Sequence, residues 1–134
     1  MEDNKTEEVA FKPHDKIELG RIVPDTSVLI EGLLSDKIKH KHMKTNEIII
    51  HEAVIAELEH QANLNKAIGF LGLDEIKRLK KISIEEGFQF SYRGERPKAA
   101  EIRNASLGEI DSLIRQLAYD EDATLITSNK VQNE

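Results

Sequence analysis

The sequence predicts an α/β fold with a mostly parallel central sheet of four to five strands and helices on both faces. Three observations carry this. Short aliphatic runs bounded by turn residues alternate with longer stretches of helical periodicity. Strands separated by helices need crossover connections, which make the sheet parallel and lay helices over it. Sixteen isoleucines, with no Trp, four Phe and two Tyr, supply an aliphatic core suited to strands and their covering helices. The 134 residues fit one domain with one core and leave no room for two.

Residues 1–19 carry six acids and three lysines with few large apolar residues and read as a flexible acidic lead-in; the domain runs over 20–134. Ile22-Val23-Pro24-Asp25 is a short strand, stopped where Thr26-Ser27 begins a helix through Val28-Leu29-Ile30 and Leu33-Leu34. Residues 36–44 are polar and basic and read as a loop. Glu47-Ile48-Ile49-Ile50-His51 has the pattern of a buried strand, and Ala53 to Lys66 that of a helix with Val54, Ile55, Leu58 and Ala62 on its apolar side. An amphipathic helix over 68–86 and a third strand over 88–92 follow. Gly94 and Pro97 break the chain before a short helix at 98–105. Gly108 precedes a periodic helix through Ile110, Leu113, Ile114, Leu117 and Ala118, and Ala123 to Thr127 forms the fourth strand.

The formal charge of -6 repels a phosphate backbone, so any nucleic-acid contact has to be local. The absence of Cys excludes disulfides, thiolate zinc sites and cysteine nucleophiles. No apolar run is long enough to span a membrane, and Met1-Glu2-Asp3-Asn4 lacks the features of a signal peptide, so the chain reads as soluble and cytoplasmic. The Ile, Glu and Lys enrichment points to a thermophile.

In an open α/β sheet the ligand crevice lies off the carboxyl ends of the strands. Asp25 ends the first strand, Thr127, Ser128 and Asn129 end the fourth, Asp111 stands in the first turns of a helix, and Glu57 lies in the helix after the second strand. Taken singly, Asp25 caps a helix, Asp111 favours a helix N-terminus and Glu57 is a surface residue. Taken together, carboxylates converging on one crevice repel one another, and a divalent cation with oxygen ligands relieves that repulsion. The chemistry such a centre serves is phosphodiester hydrolysis, with one or two Mg²⁺ or Mn²⁺ ions activating water and stabilising the leaving oxygen. No Ser-His-Asp spacing or phosphate-gripping glycine loop competes with it.

At these residues the sequence resembles a PIN domain, a ribonuclease fold, over residues 21–130. Ile22 to Ile30, with Asp25-Thr26-Ser27 at its centre, resembles the family's opening motif. Val54-Ile55-Ala56-Glu57-Leu58 resembles the second and Gly108 to Ala118 the third, while Leu125-Ile126-Thr127-Ser128-Asn129 resembles the last with Asn129 where Asp is expected. The resemblance implies a three-layer sandwich and a metal-dependent endoribonuclease. Asp25, Glu57 and Asp111 would be its catalytic and metal-binding residues and Asn129 a weakened fourth ligand. Thr26, Ser27, Thr127 and Ser128 would support them, with Glu109 either an additional acid or a solvated first-turn residue. The ends Val-Pro-Asp-Thr-Ser-Val and Thr-Ser-Asn-Lys-Val-Gln resemble archaeal proteins in which a PIN domain precedes an ATPase and a KH region. The resemblance therefore implies a domain truncated at its C-terminal end, from a parent chain carrying ATPase and KH regions.

Lys37, Lys39, Lys41 and Lys44 against Asp36 give the loop a net +3, making it the candidate RNA contact near the crevice; the bland alternative is a solvated loop. Lys77, Arg78, Lys80 and Lys81 form the outer face of a helix, and His51 and His60 pack or solvate. RNA is the expected partner, and a homodimer is a further one. Two rival functions stand beside the nuclease. One is a PIN fold without useful catalysis, serving as an RNA-binding or dimerisation module of a larger ATPase. The other is a haloacid-dehalogenase-like phosphatase, disfavoured because Ser27 occupies the place of its general acid.

Overall fold

The computed structural model describes residues 8–10 and 17–128. The elements are β1 (Glu8–Ala10), β2 (Ile17–Glu18), β3 (Arg21–Pro24), α1 (Thr26–Glu31), α2 (Leu34–Lys39), β4 (Met43–Lys44), β5 (Glu47–His51), α3 (Glu52–Asn63), α4 (Ala67–Glu86), β6 (Gln89–Arg93), α5 (Ala99–Asn104), α6 (Leu107–Asp120) and β7 (Thr124–Thr127). Five strands form one sheet in the order β1-β7-β3-β5-β6, with every pairing parallel. A second, two-stranded sheet joins β2 to β4. The four strands expected from the aliphatic runs are the interior and one edge of the main sheet.

Every residue of β5 is buried, so both faces of the sheet are covered there, as in a parallel sheet between helical layers. Ile22, Val23, Ile48, Ile49, Ile50 and Ile126 are each fully buried and form the core. Register follows from this: Ile22 stands opposite Ile48 on one side and Thr124 on the other, and a slip of one residue would turn the apolar set outward. Helices α3 and α4 approach closely enough that a Cβ added at Gly69 would lie 2.2 Å from the backbone nitrogen of Ala62, so only glycine fits there. This contact sets where α3, and with it Glu57, sits.

Two expectations are corrected. The acidic lead-in includes β1, which pairs with β7 at what would otherwise be an open sheet edge, and β2, which pairs with β4. The rest of the lead-in, residues 1–7 and 11–16, lies outside the described residues. The basic stretch 36–44 is not a loop beside the crevice. Gly32 adopts φ 77 and ends α1, and Leu34 and Ile38, one turn apart and buried, then hold a second short helix against the core. Lys37 and Lys39 ride on α2, Lys41 sits in the turn after it and Lys44 is on β4. Lys41 and Lys44 line a cavity of about 990 Å³ with Arg21, Glu47 and Gln89, at the amino ends of the strands. They therefore stand at the opposite end of the sheet from Asp25. That large cavity is a poor candidate for the reaction centre. Lys41 is paired with Glu86 and Arg21 with Glu47, and Glu18 also lines it, so its walls offer an anion little net attraction.

No helix among the described residues is long and apolar enough to cross a membrane.

Candidate functional site

Each βα unit places the end of a strand and the first turns of the next helix at the carboxyl edge of the sheet. Asp25 follows β3 there and is the N-cap of α1, its Oδ1 accepting from the backbone N–H of Val28 at 3.0 Å and the hydroxyl of Ser27 at 2.7 Å. Both bonds fall on one oxygen. Burial raises the pKa of Asp25 above the usual carboxylate range, and the charge of Asp111 pushes in the same direction, while Ser27 and Val28 pull it down. Asp25 and Asp111 are thus neighbours in the electrostatic sense, although they are far apart in sequence.

Glu57 lies in the second turn of α3, half-buried, with Oε2 accepting from Gln61 at 2.7 Å. Asp111 lies in the second turn of α6 and is exposed. Glu57, Asp111 and Thr26 line one cavity of about 80 Å³ with Leu58, Ile30 and Ile110. That is room for an ion with a few waters. Thr26 Oγ1 itself is buried and has no hydrogen-bond partner among the described residues, which costs free energy.

Asp25, Glu57 and Asp111 are therefore brought together as a chain of neighbours and not as a closed cage. Among the described residues no three acidic or histidine side chains stand close enough to hold an ion as placed. Asn129 lies outside the described residues. Thr127 and Ser128 are buried at the end of β7, and Ser128 donates its hydroxyl to Glu31 Oε2 at 3.0 Å. Glu109 serves the helix itself. Its Oε1 accepts from the backbone N–H of Ser106 at 2.8 Å, while Ser106 accepts from Glu109, a capping box at the start of α6. Glu109 is an exposed residue of the first turn, one of its carboxyl oxygens engaged in this box.

Two residues at this end of the sheet carry roles that their place in the sequence does not announce. Glu31, on α1, ties the end of that helix to the segment after β7; its only signal is a spacing of four residues from Ser27, on one helical face. His51, 5% exposed at the end of β5, caps α3, its Nδ1 accepting from the backbone N–H of Ala53 at 2.9 Å. Gly94 presses on the ring, where an added Cβ would lie 2.6 Å from Cε1. Burial lowers the pKa of His51, with Glu52 opposing.

Because its folded-state pKa is depressed, His51 takes up a proton on unfolding at pH values below about 6.5, the unfolded value. Its contribution to stability is complete above that pH and is lost as pH falls toward the folded pKa, with a limiting slope of about 1.4 kcal/mol per pH unit. Urea midpoints measured between about pH 7.5 and pH 5.5 are expected to fall more steeply for the wild type than for His51→Asn, which keeps a capping acceptor. Equal slopes would remove His51 as the source.

Known proteins share this architecture. The family model described as PIN domain matches residues 22–134. The chain is 39% identical over 112 residues to an uncharacterised KH- and PIN-domain-containing protein of Methanocaldococcus jannaschii, covering 84% of this chain and 17% of that protein. It is 30% identical over 113 residues to the Holliday junction branch migration ATPase PINA of Sulfolobus acidocaldarius, covering 83% of this chain and 20% of that one. The chain thus spans about a fifth of the length of these relatives. A solved domain of a functionally unknown protein from M. jannaschii superposes with a TM-score of 0.77 at 39% identity, covering 84% of this chain and 80% of that one. The parallel α/β architecture is thus matched both in sequence and in fold, and the chain belongs to the PIN domain family, whose members are generally nucleases.

Proposed function

We propose that the chain is a metal-dependent endoribonuclease acting through Asp25, Glu57 and Asp111. The observation that carries the reading is the cavity shared by Thr26, Glu57 and Asp111, beside an Asp25 whose ionisation Asp111 opposes. All these donors are oxygens, the set that a hard cation such as Mg²⁺ or Mn²⁺ takes. The residues therefore fit the ion in chemistry, and Asp25, Glu57 and Asp111 would hold it, with Thr26 beside them. When bound, the ion supplies a water of lowered pKa and neutralises charge on the phosphate.

The chain's own part is positioning. The Ser27 hydroxyl and the Val28 N–H fix the orientation of the Asp25 carboxylate. Gln61 steadies Glu57 in the same way. Ile30, Leu58, Ile68 and Ile110 give the cavity apolar walls, which strengthen every electrostatic contact inside it. The reading places RNA at the carboxyl edge of the sheet and the chain within a larger parent protein carrying KH and ATPase regions, as its relatives suggest by name.

The test is incubation of the chain with a 5′-labelled single-stranded RNA in Mn²⁺, in Mg²⁺ and in EDTA, with Mn²⁺-induced change in thermal midpoint measured in parallel. Cleavage with either ion and none in EDTA is the expected result. A midpoint that ignores Mn²⁺, together with intact RNA, would sink the nuclease and favour the non-catalytic module.

A further inference from the structure

A second cavity, of about 310 Å³, opens on another flank of α3 from the one that carries Glu57. It stands at the small end of ligand pockets, about 300–1,000 Å³, and has room for one planar ring system. Phe70, Leu73, Asp74 and Lys77 line it as one stripe of α4, and Glu59 of α3 and Tyr92 of β6 complete the wall. Phe70 and Tyr92 are 50% and 40% exposed, so a chain with only four Phe and two Tyr leaves two aromatic rings open at a single concavity. Phe90 stands edge to face against Tyr92 at 5.4 Å and holds that ring in place before anything binds. Glu59 is engaged by Arg96. Asp74 and Lys77, by contrast, form no hydrogen bond or ion pair among the described residues, so a carboxylate and an ammonium three residues apart stand ready at the wall.

We propose that this cavity binds a guanine base of single-stranded RNA, a substrate that rests on the nuclease reading above. The Watson–Crick edge of guanine presents two adjacent N–H donors beside a carbonyl oxygen. One carboxylate accepts both N–H groups, and a neighbouring ammonium donates to the carbonyl, which is the complement that Asp74 and Lys77 supply. Adenine, cytosine and uracil each lack the donor pair, so each sets a lone pair against an oxygen of Asp74 or leaves that oxygen without a partner. Phe70 and Tyr92 offer ring faces for stacking, the way unstacked bases of single strands are held. The same stripe of α4 runs on into Lys80 and Lys81, exposed cations that meet the phosphates on a chain whose charge of -6 otherwise repels them. Glu57 and Glu59 stand about 200° apart around α3, a helix about 10 Å across. A strand crossing α3 therefore sets its guanine at a fixed offset of a few nucleotides from the phosphate at Asp25, Glu57 and Asp111.

Base binding and cleavage are read separately. In EDTA, which silences metal-dependent cleavage, a labelled oligouridine carrying one central guanosine is expected to bind at least about tenfold tighter by fluorescence anisotropy than the same strand with adenosine in that place. Asp74→Asn, with one acceptor oxygen where the carboxylate has two, is expected to erase the difference. Tyr92→Leu is expected to weaken the guanosine strand at least about fivefold by removing a stacking face. Far-UV spectra check the fold, and Phe70→Ala carries the same expectation should Tyr92→Leu unfold. In Mn²⁺ the wild type is expected to cut at one offset from the guanosine, and Asp74→Asn to cut plain oligouridine as fast as the wild type while losing that offset. Equal binding of the guanosine and adenosine strands, or a preference that survives Asp74→Asn, overturns the proposal. Guanosine-selective binding in EDTA with every RNA intact in Mn²⁺ supports the pocket and removes the nuclease alone.

Discussion

Replacing Asp25 by Asn is expected to abolish metal-dependent RNA cleavage while leaving the fold intact. Asparagine is as good an N-cap as aspartate, so the acceptor for Val28 N–H and for Ser27 survives and only the charge is removed. Groups that merely orient a metal ligand cost about 10–100-fold when mutated, so loss of a ligand is expected to cost at least about 100-fold in kcat/KM. Stability is expected to hold or rise slightly, since burial and Asp111 both work against the ionised carboxyl of Asp25. The check is single-turnover cleavage in Mn²⁺ alongside a thermal melt of the same sample. Undiminished cleavage would remove Asp25 from the centre. A large fall in melting temperature with the loss would mean that the residue serves the fold alone.

Replacing Glu75 by Ala is expected to bring the largest loss of stability from a single side chain. Glu75 is fully buried on α4, and its carboxylate accepts from Ser35 N–H at 2.7 Å, Ser35 Oγ at 2.8 Å and Arg78 Nε at 3.0 Å. The N-cap of α2, Leu33, offers no side-chain acceptor, so a glutamate from another helix performs the capping. Truncation to Ala strands the buried N–H and hydroxyl of Ser35 and opens a cavity, while Arg78, half exposed, turns to water. Each buried group left unsatisfied costs about 1–3 kcal/mol, together a large part of the stability of an ordinary domain. Glu75→Gln keeps one acceptor oxygen and is expected to cost less. Denaturant titrations of both variants, compared at constant m, check the claim, and equal losses would show that the hydrogen bonds to Ser35 are not what matters.

The elements legible in the sequence were those with enough residues to show a period. The aliphatic runs at 22–25, 47–51 and 123–127 are buried strands, and Leu58, Ile76, Leu79, Ile110, Ile114 and Leu117 mark the buried faces of the three longest helices. Strands β1, β2 and β4, of two or three residues, are too short to carry a pattern and exist because a neighbouring strand offers them hydrogen bonds. The basic stretch 36–44 has the same cause. Six residues with one pair of apolar positions do not announce a helix, and chain order alone does not place Lys41 and Lys44 at the amino ends of the strands.

By itself, then, the order of residues determined which stretches are strand and which are helix, that the sheet is parallel, and that strand-end and helix-start acids share one of its edges. All of this follows from local periodicity and the crossover rule. Only the tertiary structure decided that Thr26 is left without a partner beside Glu57 and Asp111, that Glu109 is spent on a capping box, that Glu75 caps a helix forty residues away, and that Lys41 and Lys44 face the far end. Those are matters of which side chains meet across long stretches of chain, and a hydrogen bond between distant residues leaves no period in the sequence to read.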